Sequence, residues 1–316
     1  MPTLAIDFGG TTIKLGLVAD GSIAAHAALP NTGGGADLEG VRETALGLLT
    51  RHSGDGAAFS AVGIAMPGVV ARSGALVAAH DKYGWAIGYD IRGWAEVAFG
   101  VPVVVENDAR AALVGEVTSG SAAGATDAAL LILGTGIGTA AIMDGRLVRG
   151  AHGHAGILGG HVTVELDGPA CNCGNIGCAE AVASTWALAR DVAAGRSGSL
   201  SGRDGLRELI EGADDPDASA LLDRYVRAWG AATVSLCHAY DPDVVVVTGG
   251  VMRAAGVILP RLESYVDAHL WSSSNRPAFV VPTAPEHSVL LGLSALADGL
   301  NDMQSAPSGF LRTDPR

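Results

Sequence analysis

The sequence predicts an α/β protein built from two related halves. Short apolar runs that end in glycine-rich turns alternate with stretches of helical spacing along most of the chain. The order strand, glycine turn, strand, Asp-Gly turn, strand occurs twice, about 125 residues apart. Glycine itself is enriched, at 45 of 316 residues, against a usual ~7%. It falls in clusters such as Gly9-Gly10, Gly134-Thr135-Gly136 and Gly249-Gly250, which reads as turns where backbone must approach something closely.

The first half opens with a strand over residues 4–8, an apolar run stopped by Gly9-Gly10. Residues 13–19 and 22–29 follow as strands, because Asp20-Gly21 between two apolar runs is a hairpin signal. Leu38, Val41, Ala45, Leu48 and Leu49 fall on one helical stripe and predict a helix over 38–51. Strands are expected at 61–66 and 101–105, then a helix over 107–119. The second half repeats the opening with strands at 127–133 and 139–143, the turn Asp144-Gly145, and a return over 146–149. Helices are expected over 180–194, 218–240, 257–270 and 288–300, with a strand over 243–247. The Gly/Ser-rich stretch 195–203 reads as a loop, and the residues after Asp302 as a fraying tail.

Composition narrows the function classes. With 48% hydrophobic and 17% charged residues, the chain has ample core material, enough for one large or two modest domains, and disorder is excluded. A formal net charge of −13 argues against a broad basic surface for nucleic acid. Asp7 interrupts any apolar N-terminal run, so no secretory leader is expected. No uninterrupted apolar run approaches the ~18 residues of a transmembrane helix. Four cysteines, three of them within 171–178, do not form a disulfide framework and point to the reducing cytoplasm.

Four motifs carry chemistry. Asp7-Phe8-Gly9-Gly10-Thr11-Thr12-Ile13-Lys14 lies at a strand end. Its glycines let backbone N–H groups meet an anion, its threonines add hydroxyl donors, and Asp7 could hold Mg²⁺ directly or through water. Taken alone, the stretch also fits a tight hairpin with a structural Asp. Gly134-Thr135-Gly136-Ile137-Gly138 is a second such loop, able to grip the same phosphate chain. Neither is a Walker A loop, and no complete G-x-G-x-x-G occurs. Gly249-Gly250 ends a strand and would admit a nucleobase or ribose, or serve only strand-to-helix geometry. Glu106-Asn107-Asp108 joins a strand to a helix, where the polar groups could bind ligand or cap the helix. His161 with Cys171, Cys173 and Cys178 makes a complete tetrahedral Zn²⁺ set with no open position, hence structural rather than catalytic. Cys237 reads as core, and His152 and His154 as loop or surface residues.

Together these stretches resemble the ROK family of bacterial sugar kinases and repressors. The likeness rests on Asp7-x-Gly-Gly-Thr, Glu106-Asn107-Asp108, Gly134-Thr-Gly-Ile-Gly138 and the zinc signature Gly160-His161 through Cys171-Asn-Cys173-Gly-Asn-Ile-Gly-Cys178-Ala-Glu180. Met66-Pro67-Gly68 and Gly84-Trp85 are similar to the family's sugar-side loops, and the likeness covers about residues 3–300. The resemblance implies the actin-like ATPase (ribonuclease H-like) duplicated fold, with two domains around a cleft. It places residues 1–112 with 288–302 in a small domain, 113–287 in a large one with the zinc site, and 303–316 in a flexible tail. It implies an ATP-dependent sugar kinase using Mg²⁺, and a homo-oligomer, since family members are often dimers or tetramers.

Carried over residue by residue, the resemblance makes Asp108 the general base toward the sugar hydroxyl. Pro67, Gly68, Asn107, His161 and Glu180 would contact sugar, with His161 giving one ring nitrogen to zinc and the other to sugar. Asp7 would position Mg²⁺. Gly9, Gly10, Thr11, Thr12, Lys14, Gly134, Thr135, Gly136 and Gly138 would hold phosphates, and Gly249 and Gly250 would line the adenosine side. The family's repressors carry a helix-turn-helix module before this region. Only six residues precede Asp7, so the expectation is a kinase, the alternative being a catalytically silent sugar-binding protein. One departure bears on substrate. Where the family's kinases read Ala-Gly-Glu-x-Gly-His, this chain reads Ala155-Gly156-Ile157-Leu158-Gly159-Gly160-His161, one residue longer and without the acid. Glu180 or Asp81 could substitute. The expectation is that glucose is not the best substrate.

Overall fold

Two identical turns start the two halves. Asp20-Gly21 and Asp144-Gly145 each place both residues at positive φ, 50° and 70° in either case. That is the type I′ geometry whose twist matches a hairpin, and Asp-Gly adopts it readily. The computed structural model describes residues 1–305 apart from 55, 56, 80, 197–205, 212–215, 273 and 275, with backbone alone for 81, 82 and 300–305. The chain divides into two compact units, Met1–Ser119 with the stretch from Glu286, and Gly120–Pro285.

In the first unit β1 (Thr3–Phe8), β2 (Thr12–Ala19) and β3 (Ser22–Pro30) form an antiparallel meander. Helix α1 (Asp37–Ser53) buries the predicted stripe of Leu38, Val41, Ala45, Leu48 and Leu49. Then come β4 (Val62–Met66), the short hairpin of β5 (Val69–Val70) and β6 (Leu76–Ala78), and α2 (Ile91–Phe99). Strand β7 (Val103–Asn107) leads straight into α3 (Asp108–Ser119). The sheet order is β3-β2-β1-β4-β7, with β4 and β7 parallel to β1. Every residue of β1 and β4 is buried, as expected of central strands covered on both faces.

The second unit repeats the plan. Strands β8 (Ala128–Leu133), β9 (Ile137–Met143) and β10 (Arg146–Leu147) form the meander. Helices α4 (Ala179–Val182), α5 (Thr185–Ala193), α6 (Leu206–Glu211) and α7 (Pro216–Tyr240) precede β11 (Val244–Thr248). Helix α8 (Ala255–His269) and β12 (Ala278–Val280) complete it. The order β10-β9-β8-β11-β12, with β11 and β12 parallel to β8, reproduces the first sheet strand for strand. The doubled hairpin in the sequence is therefore a doubled five-stranded sheet. Among the described residues, no helix is long and apolar enough to cross a membrane.

Several sequence expectations need correction. The helix expected over 180–194 is two helices, because Ser184 is extended and its hydroxyl accepts the Ala187 N–H as a new cap. The indole of buried Trp229 fixes that break by donating to the Ala183 carbonyl at 2.6 Å. The strand expected over 101–105 runs to Asn107, because pairing with β4 continues to Met66 opposite Asn107. Helix α2 was not anticipated, although Asp90 caps it by accepting the Gly93 N–H and left-handed Gly100 ends it. The last helix, Ser288–Ser305, passes the expected end at Leu300 and enters the expected tail; residues 306–316 and most of the 195–203 loop lie outside the described residues.

The glycine enrichment also has a second cause. A Cβ on Gly115 of α3 would meet the Ser288 carbonyl, and one on Gly292 of the closing helix would meet the Ala111 carbonyl. A Cβ on Gly63 of β4 would meet Leu293 Cβ at 2.7 Å. These glycines set how closely the closing helix lies on α3 and the sheet, and the buried Ser288–Glu116 hydrogen bond joins the same two helices. Gly292→Val should therefore cost about 1–3 kcal/mol by overpacking. It should appear as a lower urea midpoint at unchanged slope. Gly299→Ala, with nothing within 4 Å of its added Cβ, should be neutral or mildly stabilising.

Candidate active site

Parallel pairing lines up the ends of three strands in the first unit. Asp7 of β1 lies opposite Ala65 of β4, and Ala65 opposite Glu106 of β7. The segments that leave these strands, Gly9-Gly10, Pro67-Gly68 and Asn107-Asp108, therefore emerge at one edge, the carboxyl ends where α/β sheets bind ligands.

Asn107 does cap α3, since its Oδ1 accepts the Arg110 N–H at 3.1 Å. Its amide also donates to the Gly68 carbonyl and to Asp108 Oδ1, both at 2.9 Å, tying the Pro67-Gly68 turn to Asp108. Asp108 is half-buried. Burial pushes its carboxyl above the ordinary value, against the pull of backbone N–H groups and the Asn107 amide. Glu106 points inward instead. It accepts the Asn107 N–H at 2.9 Å and pairs with Arg110 at 3.2 Å, both side chains being buried. Nothing in the sequence marked Arg110, a helical arginine amid alanines, as an internal partner.

Asp7 is buried with its carboxylate near Asp108. Burial first, and the Asp108 charge second, push its pKa up to about 6, opposed by Lys14 at 3.9 Å. Such a pair of carboxylates with one exposed ammonium is a place where a divalent cation would relieve repulsion.

The glycine loops share a pattern. In each, the chain's own atoms explain one glycine, while an added Cβ on another meets nothing within 4 Å. Gly9 faces the Thr12 carbonyl while Gly10 is open; Gly136 faces Glu180 while Gly134 is open; Gly249 faces the Leu133 carbonyl while Gly250 is open. The open positions are those where a ligand can lie against backbone. Ordinary strand-to-helix geometry thus accounts for Gly249 but leaves Gly250 available.

Glu180 sits beneath the second loop. Its Oε2 accepts the Ile137 N–H at 2.8 Å and its Oε1 the Trp186 indole N–H at 3.3 Å. Thr185 holds the same loop by donating its hydroxyl to the Gly134 carbonyl at 3.0 Å.

His161, Cys171, Cys173 and Cys178 converge in the second unit, with their ligand atoms all within 4.8 Å of one another. Cys173 and Cys178 sulfurs are 3.7 Å apart, and His161 Nδ1 is 3.6 Å from the Cys171 sulfur. A tetrahedron with Zn–S of about 2.3 Å has edges of about 3.8 Å, so the donor set fits zinc. A Cβ on Gly177 would meet the Glu165 carbonyl, and Arg224 of α7 grips the Glu165 carboxylate at 2.8 and 3.0 Å. Near this centre, Ile157 is buried and Leu158 is 40% exposed, with no acid between Gly156 and His161. Of the suggested substitutes, Glu180 is engaged as above, and the Asp81 side chain lies outside the described residues.

The comparisons with known proteins agree with this geometry. The ROK family model matches residues 3–299, and the chain belongs to the ROK family. It is similar to a glucokinase of Thermotoga maritima, 32% identical over 93% of this chain and 96% of that protein. An N-acetylmannosamine kinase of Escherichia fergusonii is also 32% identical, over 95% and 99%. Among solved structures, a ROK glucokinase of Streptomyces griseus in complex with glucose and AMPPNP superposes with a TM-score of 0.75 at 29% identity, covering 95% of this chain and 100% of that one. The duplicated α/β architecture of both units is that of this family's actin-like ATPase fold.

Asp7 provides a test that needs no substrate. Its folded pKa of about 6 lies above the 3.8 of an unperturbed Asp, so the native state holds the extra proton. The associated stability is present below about pH 4 and lost as pH rises through 6, up to roughly 3 kcal/mol. Asp7→Asn should therefore stabilise the protein relative to wild type in urea unfolding at pH 7.5 and have little effect at pH 4. Equal effects at both values would contradict the buried carboxylate.

Proposed function

We propose that the chain is an ATP-dependent sugar kinase that transfers the γ-phosphoryl group to a hydroxyl of a hexose or hexose derivative. The observation that carries this reading is Asp108, a carboxyl held above its ordinary pKa at the start of α3, near Asp7 and at the same sheet edge from which Gly9-Gly10 emerge. Family membership and the glucose- and AMPPNP-bound relative support it.

In this reading Asp108 accepts the proton of the attacking hydroxyl as its oxygen bonds to the γ-phosphorus and ADP leaves. A raised pKa strengthens the base, and such help is worth ~10²–10⁴-fold. Most of the remaining catalysis is positioning and charge neutralisation. Gly9 to Thr12, Lys14 and Gly134 to Gly138 hold phosphates, and Gly249 and Gly250 face adenosine. Asp7 holds Mg²⁺, which when bound offsets phosphate charge. Pro67, Gly68, Asn107, His161 and Glu180 address the sugar. Zinc on His161 and the three cysteines is structural, and the cysteine usage supports a reducing, cytoplasmic setting.

The substrate preference is argued from Ile157 and Leu158. Counted from Gly156 or back from His161, one or the other stands where the family's kinases carry the sugar-binding Glu, and either leaves hydroxyls at that edge without a charged acceptor. Charged hydrogen bonds are worth ~1.5–3 kcal/mol each, so a sugar with fewer hydroxyls there, or a substituted one, is favoured over glucose. A coupled ADP-release assay with Mg²⁺–ATP should find turnover across a panel of glucose, mannose, fructose, allose, N-acetylglucosamine and N-acetylmannosamine, with glucose not the best. Asp108→Asn should lower turnover at least ~10²-fold while keeping sugar binding. No turnover with any sugar, or near-normal turnover in Asp108→Asn, would refute the assignment.

Freshly purified protein should hold one zinc per chain. Cys173→Ser should lower both thermal stability and sugar affinity, because His161 serves zinc through Nδ1 and sugar through the other nitrogen. If stability alone falls, His161 does not touch the sugar.

A further inference from the structure

The first phosphate loop is held from behind by two residues that no motif includes. The Gly9 carbonyl accepts the Tyr83 hydroxyl at 2.8 Å and the Asn31 side-chain amide at 2.9 Å. The same amide donates to the Gly10 carbonyl at 3.3 Å and to the Tyr83 oxygen at 2.9 Å. Asn31 is itself fixed, because its N–H donates to the Thr11 carbonyl at 3.0 Å and its Oδ1 accepts the Gly33 N–H at 2.8 Å. Tyr83 is buried, and its ring meets Phe8 edge-on at 6.2 Å.

Peptide planarity turns these contacts into an orientation. In a trans peptide the C=O and the following N–H point to opposite sides, and the described chain has no cis bond. Drawing the Gly9 and Gly10 carbonyls toward Asn31 and Tyr83 therefore aims the N–H groups of Gly10 and Thr11 the other way. Successive N–H groups aimed together form an anion-binding nest. This is the loop whose Gly10 has open space where a Cβ would be. Burial, then the carboxylates of Asp7, Asp37 and Asp108, push the Tyr83 phenol well above its ordinary pKa, so it stays a donor at any assay pH.

We propose that Asn31 and Tyr83 are positioning residues for nucleotide: they preset the Gly9-Gly10-Thr11 backbone so that two N–H groups face the phosphates before ATP arrives. The proposal rests on the kinase reading above. Tyr83 lies in the 3₁₀ segment Asp81–Ala86, next to Gly84-Trp85, the stretch likened to a sugar-side loop. The hydroxyl of one residue thus joins that stretch to the phosphate loop.

The test is Tyr83→Phe, which keeps the ring on Phe8 and deletes only the hydroxyl. Titration calorimetry of the full chain with Mg²⁺–AMPPNP should show affinity falling about tenfold, the effect of one hydrogen bond of ordinary strength. The KM for ATP should rise in parallel, while kcat at saturation, the sugar KM and the melting temperature stay within error of wild type. Asn31→Leu, similar in shape but without donors, should weaken nucleotide binding further, and the double variant should lose less than the sum, because the two side chains form one network. Unchanged AMPPNP affinity in Tyr83→Phe, or a loss confined to the sugar KM or to melting, would overturn the proposal while leaving the kinase reading intact. Wild-type protein that binds no AMPPNP would overturn both.

Discussion

The first unit is organised around an unfavourable arrangement, two carboxylates held near one another, Asp7 buried and Asp108 half-buried. Burial and the charge of Asp108 lift Asp7 to about 6, and burial lifts Asp108 as well. Left to relax, such groups would separate or become solvated. They stay because neither is on a loop: Asp7 lies inside a central strand and Asp108 is the first residue of a helix. That helix is seated in turn by the closing helix through Gly115, Gly292 and the Ser288–Glu116 bond, and by the Glu106–Arg110 pair at its start. This unfavourable electrostatic arrangement is supported by close backbone packing. Pre-organisation of this kind is what phosphoryl transfer asks of a protein, since charge must be met by groups already in place.

Glycine performs two jobs that composition alone cannot separate. At Gly63, Gly115 and Gly292 it lets helix and sheet approach; at Gly10, Gly134 and Gly250 the surrounding chain supplies no steric reason for it. Each candidate ligand loop contains one open glycine and at least one that meets the chain's own atoms. A loop that binds anions through backbone must be shaped by its own contacts and must also leave one face bare, so two glycines with different causes are a natural outcome.

What the sequence revealed, and what it concealed, follows the range of the interactions involved. The Asp20-Gly21 and Asp144-Gly145 turns, the α1 stripe and the clustering of His161 with the three cysteines are local and were legible. The break before Ser184 was not, because it depends on Trp229 reaching the Ala183 carbonyl across 46 residues. The β7 boundary was missed because an apolar run ends at Val105, whereas strand pairing with β4 carries on through Glu106 and Asn107. Helix α2 had readable signals in Asp90, in Gly100 and in Ile91, Trp94, Ala95 and Ala98 at helical spacing, and was missed in spite of them. Asn31 and Tyr83 had no signal at all, being 22 and 74 residues from the Gly9 carbonyl that they hold.

The second unit carries the same logic through a different chemistry. The last cysteine of the His161–Cys171–Cys173–Cys178 set, Cys178, immediately precedes α4, and the second residue of that short helix is Glu180. Its carboxylate receives the Ile137 N–H at the end of the second glycine loop, and Thr185 takes the Gly134 carbonyl at the start of the same loop. A four-residue helix has little stability of its own, because nucleation costs more than so few hydrogen bonds return. Its position must come from its ends. One end is tethered to the Cys178 sulfur cluster, and the other is pinned where Trp229 holds Ala183. The zinc signature and the glycine loop, which look like separate motifs in the sequence, are thus one continuous structural device in which the cysteine cluster fixes the carboxylate that shapes the loop.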